Sequence, residues 1–151
     1  MATRKIIHLG NDLLRKISKP VEKFDDGLWE ILDDMADTMY KEEGMGLAAP
    51  QIGVLRRIVI IECNGAFLEF INPVITAREG EQIGNEGCLS VLGLNKDVKR
   101  PSRITVEAMD RYGENFTLTC ENLFARCICH EVDHLNGILF VDIAEKDEVK
   151  N

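Results

Sequence analysis

Cys129-His130-Glu131-Val132-Asp133-His134-Leu135-Asn136-Gly137 carries a His-Glu-x-x-His pattern, and a helix is its natural setting. At about 100° per residue, His130 and His134 fall on one face, a single turn apart. Two imidazoles so placed can grip one divalent ion, with Glu131 beside them to handle water on that ion. The helix has independent support in the sequence. Asn122 is a candidate N-cap, Leu123, Cys127, His130 and His134 recur at helical spacing, and Gly137 suits a left-handed stop.

Two histidines need at least one further protein ligand. Phe140 stands where the longer pattern His-Glu-x-x-His-x-x-Gly-x-x-His would put a third histidine, and it cannot coordinate. Asp142, Glu145, Asp147 and Glu148 follow, but a charged terminal stretch is more often a solvated, frayed end. The missing ligand is therefore sought upstream. Cys88 is the best candidate, because Gly84-Asn85-Glu86-Gly87-Cys88-Leu89-Ser90 reads as a polar loop where a thiol has little to pack against. Cys129 lies about 100° around the helix from His130 and cannot easily chelate with it. Cys127 shares the His130 face and is placed to line the site rather than to ligate. The expected set is Cys88, His130 and His134, with a fourth tetrahedral position left to water, as in a catalytic centre.

The remaining pattern indicates an α+β fold. Antiparallel β-strands are expected to pack around a central C-terminal metal-binding helix, after one long N-terminal helix. That first helix should run from about Asp25 to Glu42, with Leu28, Ile31, Leu32, Met35 and Met39 as its core stripe and Gly44 closing it. Ile6-Ile7-His8 reads as a short strand, with His8 structural or solvent-facing. Arg57–Glu62 and Phe67–Ile71 flank Asn64-Gly65, a hairpin signal, and Asn72-Pro73 should break the second strand before Val74-Ile75-Thr76. Arg103–Met109 alternates, with Ile104, Val106 and Ala108 on one face, and Phe116–Cys120 alternates again. Cys63 and Cys120 are expected to be inward thiols. Gly44-Met45-Gly46-Leu47-Ala48-Ala49-Pro50-Gln51 suits close backbone approach, but its spacing matches no phosphate loop.

With 151 residues, the chain has the length of one domain, 1–151. A hydrophobic content of 45% and a charged content of 29% are those of a globular protein. No apolar run approaches the roughly 20 residues of a membrane span, so no membrane partner is expected. Five cysteines, an odd number, fit a reducing compartment. A net charge of −8 argues against DNA or another nucleic-acid backbone as main partner.

Gly44-Met45-Gly46-Leu47-Ala48-Ala49-Pro50-Gln51, Glu86-Gly87-Cys88-Leu89-Ser90 and His130-Glu131-Val132-Asp133-His134 resemble the three ordered motifs of bacterial peptide deformylase. The resemblance runs from about Lys5 to Asp142. It implies a cytoplasmic enzyme that removes formate from N-formyl-methionyl peptides, meeting the nascent chain transiently at the ribosome. It implies iron(II) as the physiological metal, with zinc, nickel or cobalt as substitutes. Glu131 is implied as acid–base, and the Gln51 side-chain amide and Leu89 backbone N–H as donors to an oxyanion. The backbone at Gly44, Met45 and Gly46 and at Glu86-Gly87 is expected to pair with an extended peptide. Met45, Leu123 and Cys127 are the expected walls of a methionine pocket. Arg126 should snorkel outward, and Asp133 is available to Arg103 behind the helix. The sequence departs from the family at Leu92, commonly proline, and at Cys129, usually glutamine. Competing readings are an endopeptidase, a metal-independent amidase with Cys88 as nucleophile, and a metal-binding module without activity.

Overall fold

The computed structural model describes residues 2–144. In chain order it forms helix α1 (Asp26–Lys41), strands β1 (Gly46–Ala48), β2 (Ile58–Cys63), β3 (Ala66–Glu79), β4 (Gln82–Cys88), β5 (Val91–Arg100), β6 (Arg103–Met109) and β7 (Asn115–Glu121), and helix α2 (Asn122–Leu135). One sheet has the order β1-β2-β3-β6-β7, and β4 and β5 form a separate antiparallel pair. All the pairings between these strands are antiparallel, as the α+β expectation required.

The apolar run of β2 reflects burial on both sides. Val59, Ile61 and Cys63 pack in a cluster with Ala125, Ile128 and Val132 of α2. Ile58 and Ile60 pack in another with Leu28, Leu32, Met35 and Met39 of α1. A strand covered on both faces loses polar alternation, because each side chain then gains from leaving water. The α1 stripe is buried as expected, with Ile31 at its margin. Asp25 caps the helix by accepting from the Leu28 N–H.

Several local expectations need correction. Ile6-Ile7-His8 is not a strand; it is a strap held by Ile7 N–H to Gln51 O and Leu9 N–H to Ser90 O. Asn72-Pro73 does not interrupt β3, because the strand absorbs the proline as a register shift between Ile71 and Val74. Asn72 takes φ +54° there, and its side-chain amide bonds both backbone groups of Val21. Asn122 does not cap α2; Glu121 holds that position, and Asn122 is left-handed, donating its N–H to Ser102 O. The stretch around Cys88 is not a loop but the end of β4. Cys63 is buried as expected, whereas Cys120 sits half-buried at the margin of the core. Glu145, Asp147 and Glu148 lie outside the described residues.

Gly137 ends α2 with φ +72°, as its position suggested. A Cβ there would lie 2.4 Å from Arg15 O, so the turn also needs the missing side chain. Beyond it, Leu139, Phe140 and Val141 pack with Val91 and Val98, which fixes the β4–β5 hairpin beside α2. The hairpin and α2 thereby bring Cys88 to the two histidines.

Candidate metal centre

Cys88, His130 and His134 place their ligand atoms within 4.8 Å of one another. Cys88 Sγ lies 3.3 Å from His134 Nε2. Bonds of about 2.0–2.3 Å to a tetrahedral ion put ligand atoms roughly 3.3–3.8 Å apart, so the donor set fits a divalent metal. The electrostatics agree. Burial works against charge on His130, yet its hydrogen bond to Cys88 and the carboxylates of Glu131 and Glu86 lift its pKa to about 10. Burial, with His130 and Arg100 nearby, keeps His134 well below its usual range. A pocket of these donors favours positive charge, which a cation supplies without two crowded imidazolium ions.

Glu86, whose backbone is expected to pair with a peptide, also organises this centre through its carboxylate. Glu86 is buried, and its Oε1 accepts from His130 Nδ1 at 2.8 Å, which leaves Nε2 for the metal. Arg100 holds the same carboxylate through two bonds of 2.9 Å, and Arg126 donates at 2.6 Å. Burial raises the Glu86 pKa, but Arg100 and His130 outweigh it and bring it down to about 2. Arg126 therefore does not snorkel outward. It is buried, donating also to Gly84 O and Val98 O, because the hairpin offers three acceptors at once. Asp133 pairs with Arg100 at 2.6 Å rather than with Arg103, which reaches Glu121 on the neighbouring strand. Glu86 precedes Cys88 by two and shares its face on β4, but the polar, glycine-containing stretch carries no strand signal that would have revealed this.

Glu131 is buried beside the triad, with Oε1 lacking any hydrogen-bond partner among the described residues. Its other oxygen faces Gly46 so closely that a Cβ on that glycine would lie 2.8 Å from Oε2. Burial pushes the Glu131 carboxyl up to about 7, while a cation beside it acts in the opposite direction. Gln51 is held by Ala48 N–H to Oε1 at 2.9 Å, and its Nε2 donates to Ser90 Oγ at 3.1 Å and lies 3.6 Å from Cys88 Sγ. Cys127 is half-buried, and burial, with Glu131 next, pushes its thiol up to about 12. A protonated thiol fits a wall rather than a ligand.

Cys88, His130, Glu131, Gln51, Gly46 and Cys127 line one cleft of about 370 Å³, together with Gly44, Met45, Gly87, Leu89 and Leu123. That is the size of a small-ligand pocket. Glu86 borders it too, but its carboxylate is taken up by the three donors and its backbone pairs with Lys96 of β5. The cleft is floored by α2, flanked by the β4–β5 hairpin, and bounded by β1, the edge strand of the larger sheet.

Comparison with known proteins gives the family. The polypeptide deformylase model matches residues 3–150. A peptide deformylase of Acetivibrio thermocellus is 52% identical over 142 residues, covering 94% of this chain and 84% of that one. The crystal structure of a peptide deformylase from Legionella pneumophila superposes with a TM-score of 0.92 at 46% identity, covering 99% of this chain and 96% of that one. A Met-Ala-Ser-bound peptide deformylase from Acinetobacter baumannii superposes with a TM-score of 0.90 at 32% identity, covering 94% and 98%. With the Cys88–His130–His134 centre at the heart of the shared fold, this chain belongs to the polypeptide deformylase family.

Proposed function

We infer that this chain hydrolyses the N-formyl amide of formyl-methionyl peptides and releases formate. The observation that carries the inference is the meeting of three features in one cleft: the Cys88–His130–His134 donors, the partnerless Glu131 oxygen and the edge of β1. A divalent ion on that triad supplies Lewis acidity, which polarises a carbonyl and makes water a nucleophile near neutral pH. Iron(II) is the metal we favour for the site, since thiolate suits a soft ion, and zinc, nickel or cobalt share the same donors.

Glu131 accepts a proton from the attacking water and returns it to the departing amine, one group serving as base and then acid. Its confinement against Gly46 fixes where that proton is taken up. The Gln51 amide, anchored by Ala48 and Ser90, and the Leu89 backbone N–H donate to the oxyanion. One such donor typically lowers a barrier by about 2.7–4 kcal/mol. The methionine side chain occupies the part of the cleft walled by Met45, Leu123 and Cys127. The peptide backbone pairs along Gly44–Gly46 and opposite Gly87, adding a strand to the open edge of β1. The Met-Ala-Ser bound to the Acinetobacter baumannii relative supports that substrate class. Such substrates arise on nascent chains at the ribosome, which makes the cytoplasm the working compartment. No helix among the described residues is long and apolar enough to cross a membrane.

The test is formate release from formyl-Met-Ala-Ser by metal-loaded protein. Turnover should stop with a chelator and return with iron(II). Glu131→Ala should keep the metal at unchanged stoichiometry while turnover collapses. Formate release that survives chelation would favour a Cys88 nucleophile instead, and digestion of casein would favour an endopeptidase.

A further inference from the structure

A second groove, about 500 Å³, adjoins the cleft, and the two share Leu89 and Leu92 as a common ridge. Its lining inverts the charge of the molecule. Lys5 and Lys41 are exposed around it in a chain whose net charge is −8. Arg4 also borders the groove but is already paired with Asp34 at 2.8 Å. No carboxylate among the described residues lies within ion-pair distance of Lys5 or Lys41, although Glu42 stands on the same rim.

The direction of the substrate leads there. Glu131 faces Gly46, so the reacting end of a peptide lies at that end of β1. Moving outward along the strand edge reaches Met45 and then Gly44, whose missing Cβ would lie 2.9 Å from Leu89 Cδ1. Past that contact come Glu42 and Lys41 at the end of α1, which border the groove. An extended peptide advances about 3.3 Å per residue, so residues beyond the third leave the cleft over the Leu89–Leu92 ridge.

Resting on the deformylase reading above, we propose that this groove receives the fourth to sixth residues of the substrate and favours acidic side chains there. Lys5 and Lys41 are the specificity-determining residues, with Leu92, 71% exposed, as the apolar step between the two sites. Exposed charges act weakly and through encounter, so the preference should appear in KM and at low salt.

The experiment compares formyl-Met-Ala-Ser with hexapeptides that extend it by Asp-Glu-Asp, Ser-Gly-Ser or Lys-Arg-Lys, using metal-loaded protein. At low ionic strength the acidic hexapeptide should exceed the basic one several-fold in kcat/KM, and the gap should close at about 0.5 M salt, where the Debye length shrinks to a few ångströms. The double variant K5E/K41E should reverse the order of the hexapeptides while the tripeptide, too short to reach the groove, keeps its turnover. Equal kcat/KM for the three hexapeptides, or a preference unchanged in the double variant, overturns the groove assignment alone. Absence of formate from every peptide, the tripeptide included, overturns the deformylase reading and the groove assignment with it.

Discussion

Glu86 Oε1 lies 2.8 Å from His130 Nδ1, inside a buried cluster that also contains Arg100, Arg126 and, at its margin, Asp133. This contact couples the metal centre to the packing of the β4–β5 hairpin on α2. Glu86→Gln keeps an oxygen for His130 but removes the charge that two buried guanidinium groups require. Metal affinity should fall about 10–100-fold, as for other groups that orient metal-binding imidazoles. Stability should fall by about 3–5 kcal/mol, the usual cost of leaving a buried charge without its partner. Chelator competition and urea unfolding measure the two, and a variant unchanged in both would remove Glu86 from this role.

Gly46 leaves space that Glu131 fills. A Cβ at residue 46 would lie 2.8 Å from Glu131 Oε2 and 3.0 Å from Ile61 Cδ1, so Gly46→Ala must displace the carboxylate or the strand. A shift of about 1 Å in a catalytic group can cost roughly 100-fold in rate. We expect kcat on formyl-Met-Ala-Ser to drop by about that factor, with metal content unchanged. Turnover near the parent value would show that the position of Glu131 is less constrained than the packing indicates.

Much of this was legible in the sequence because the signals are local. His130 and His134 need only helical spacing, and Cys88 emerged from the lack of any nearer ligand. The α1 stripe and the Asn64-Gly65 hairpin follow from period and turn chemistry, and Asn64 and Gly65 do adopt positive φ, 53° and 82°. Arg126 and Asp133 were misplaced because their environment comes from β4 and β5, which are far away in sequence. The hairpin itself was hidden for a related reason. Its residues Gly84, Asn85, Asn95, Lys96 and Asp97 lack strand propensity, and the pairing is held by Val91, Val98 and Phe140 packing from beyond α2. Tertiary context there overrides local preference.

Phe140 occupies the position at which a longer zinc motif would carry a third ligand, and it does something different. Its ring is 1% exposed and stacks on His130, with centroids 5.7 Å apart and planes 24° from parallel. Phe140→Ala should cost about 3–5 kcal/mol from lost burial and the cavity left behind. It should also weaken metal binding, because His130 would lose the ring stacked on its face. Calorimetry on metal-free and metal-loaded protein separates these effects. A loss in the metal-free form with no change in the stabilisation gained on loading would confine Phe140 to packing.

Asp34 ties the N-terminal strap to α1 by accepting from Ala2 N–H and Arg4 Nε, each at 2.8 Å. Burial raises its pKa, but the Ala2 and Arg4 contacts outweigh that and hold the carboxyl below its usual 3.8. A carboxyl depressed in the folded state binds its proton more readily when unfolded. Its contribution to stability is therefore complete above about pH 3.8 and is lost as pH falls through the lower folded value. Asp34→Asn should cost about 1–3 kcal/mol at pH 7, the range for hydrogen bonds to a charged group, with Arg4's exposure favouring the lower end. The gap between parent and variant in urea unfolding should stay constant from pH 7 to pH 5 and then narrow below pH 3.8. A gap that widened on acidification would mean that the strap is held by something other than the ionised Asp34 carboxylate.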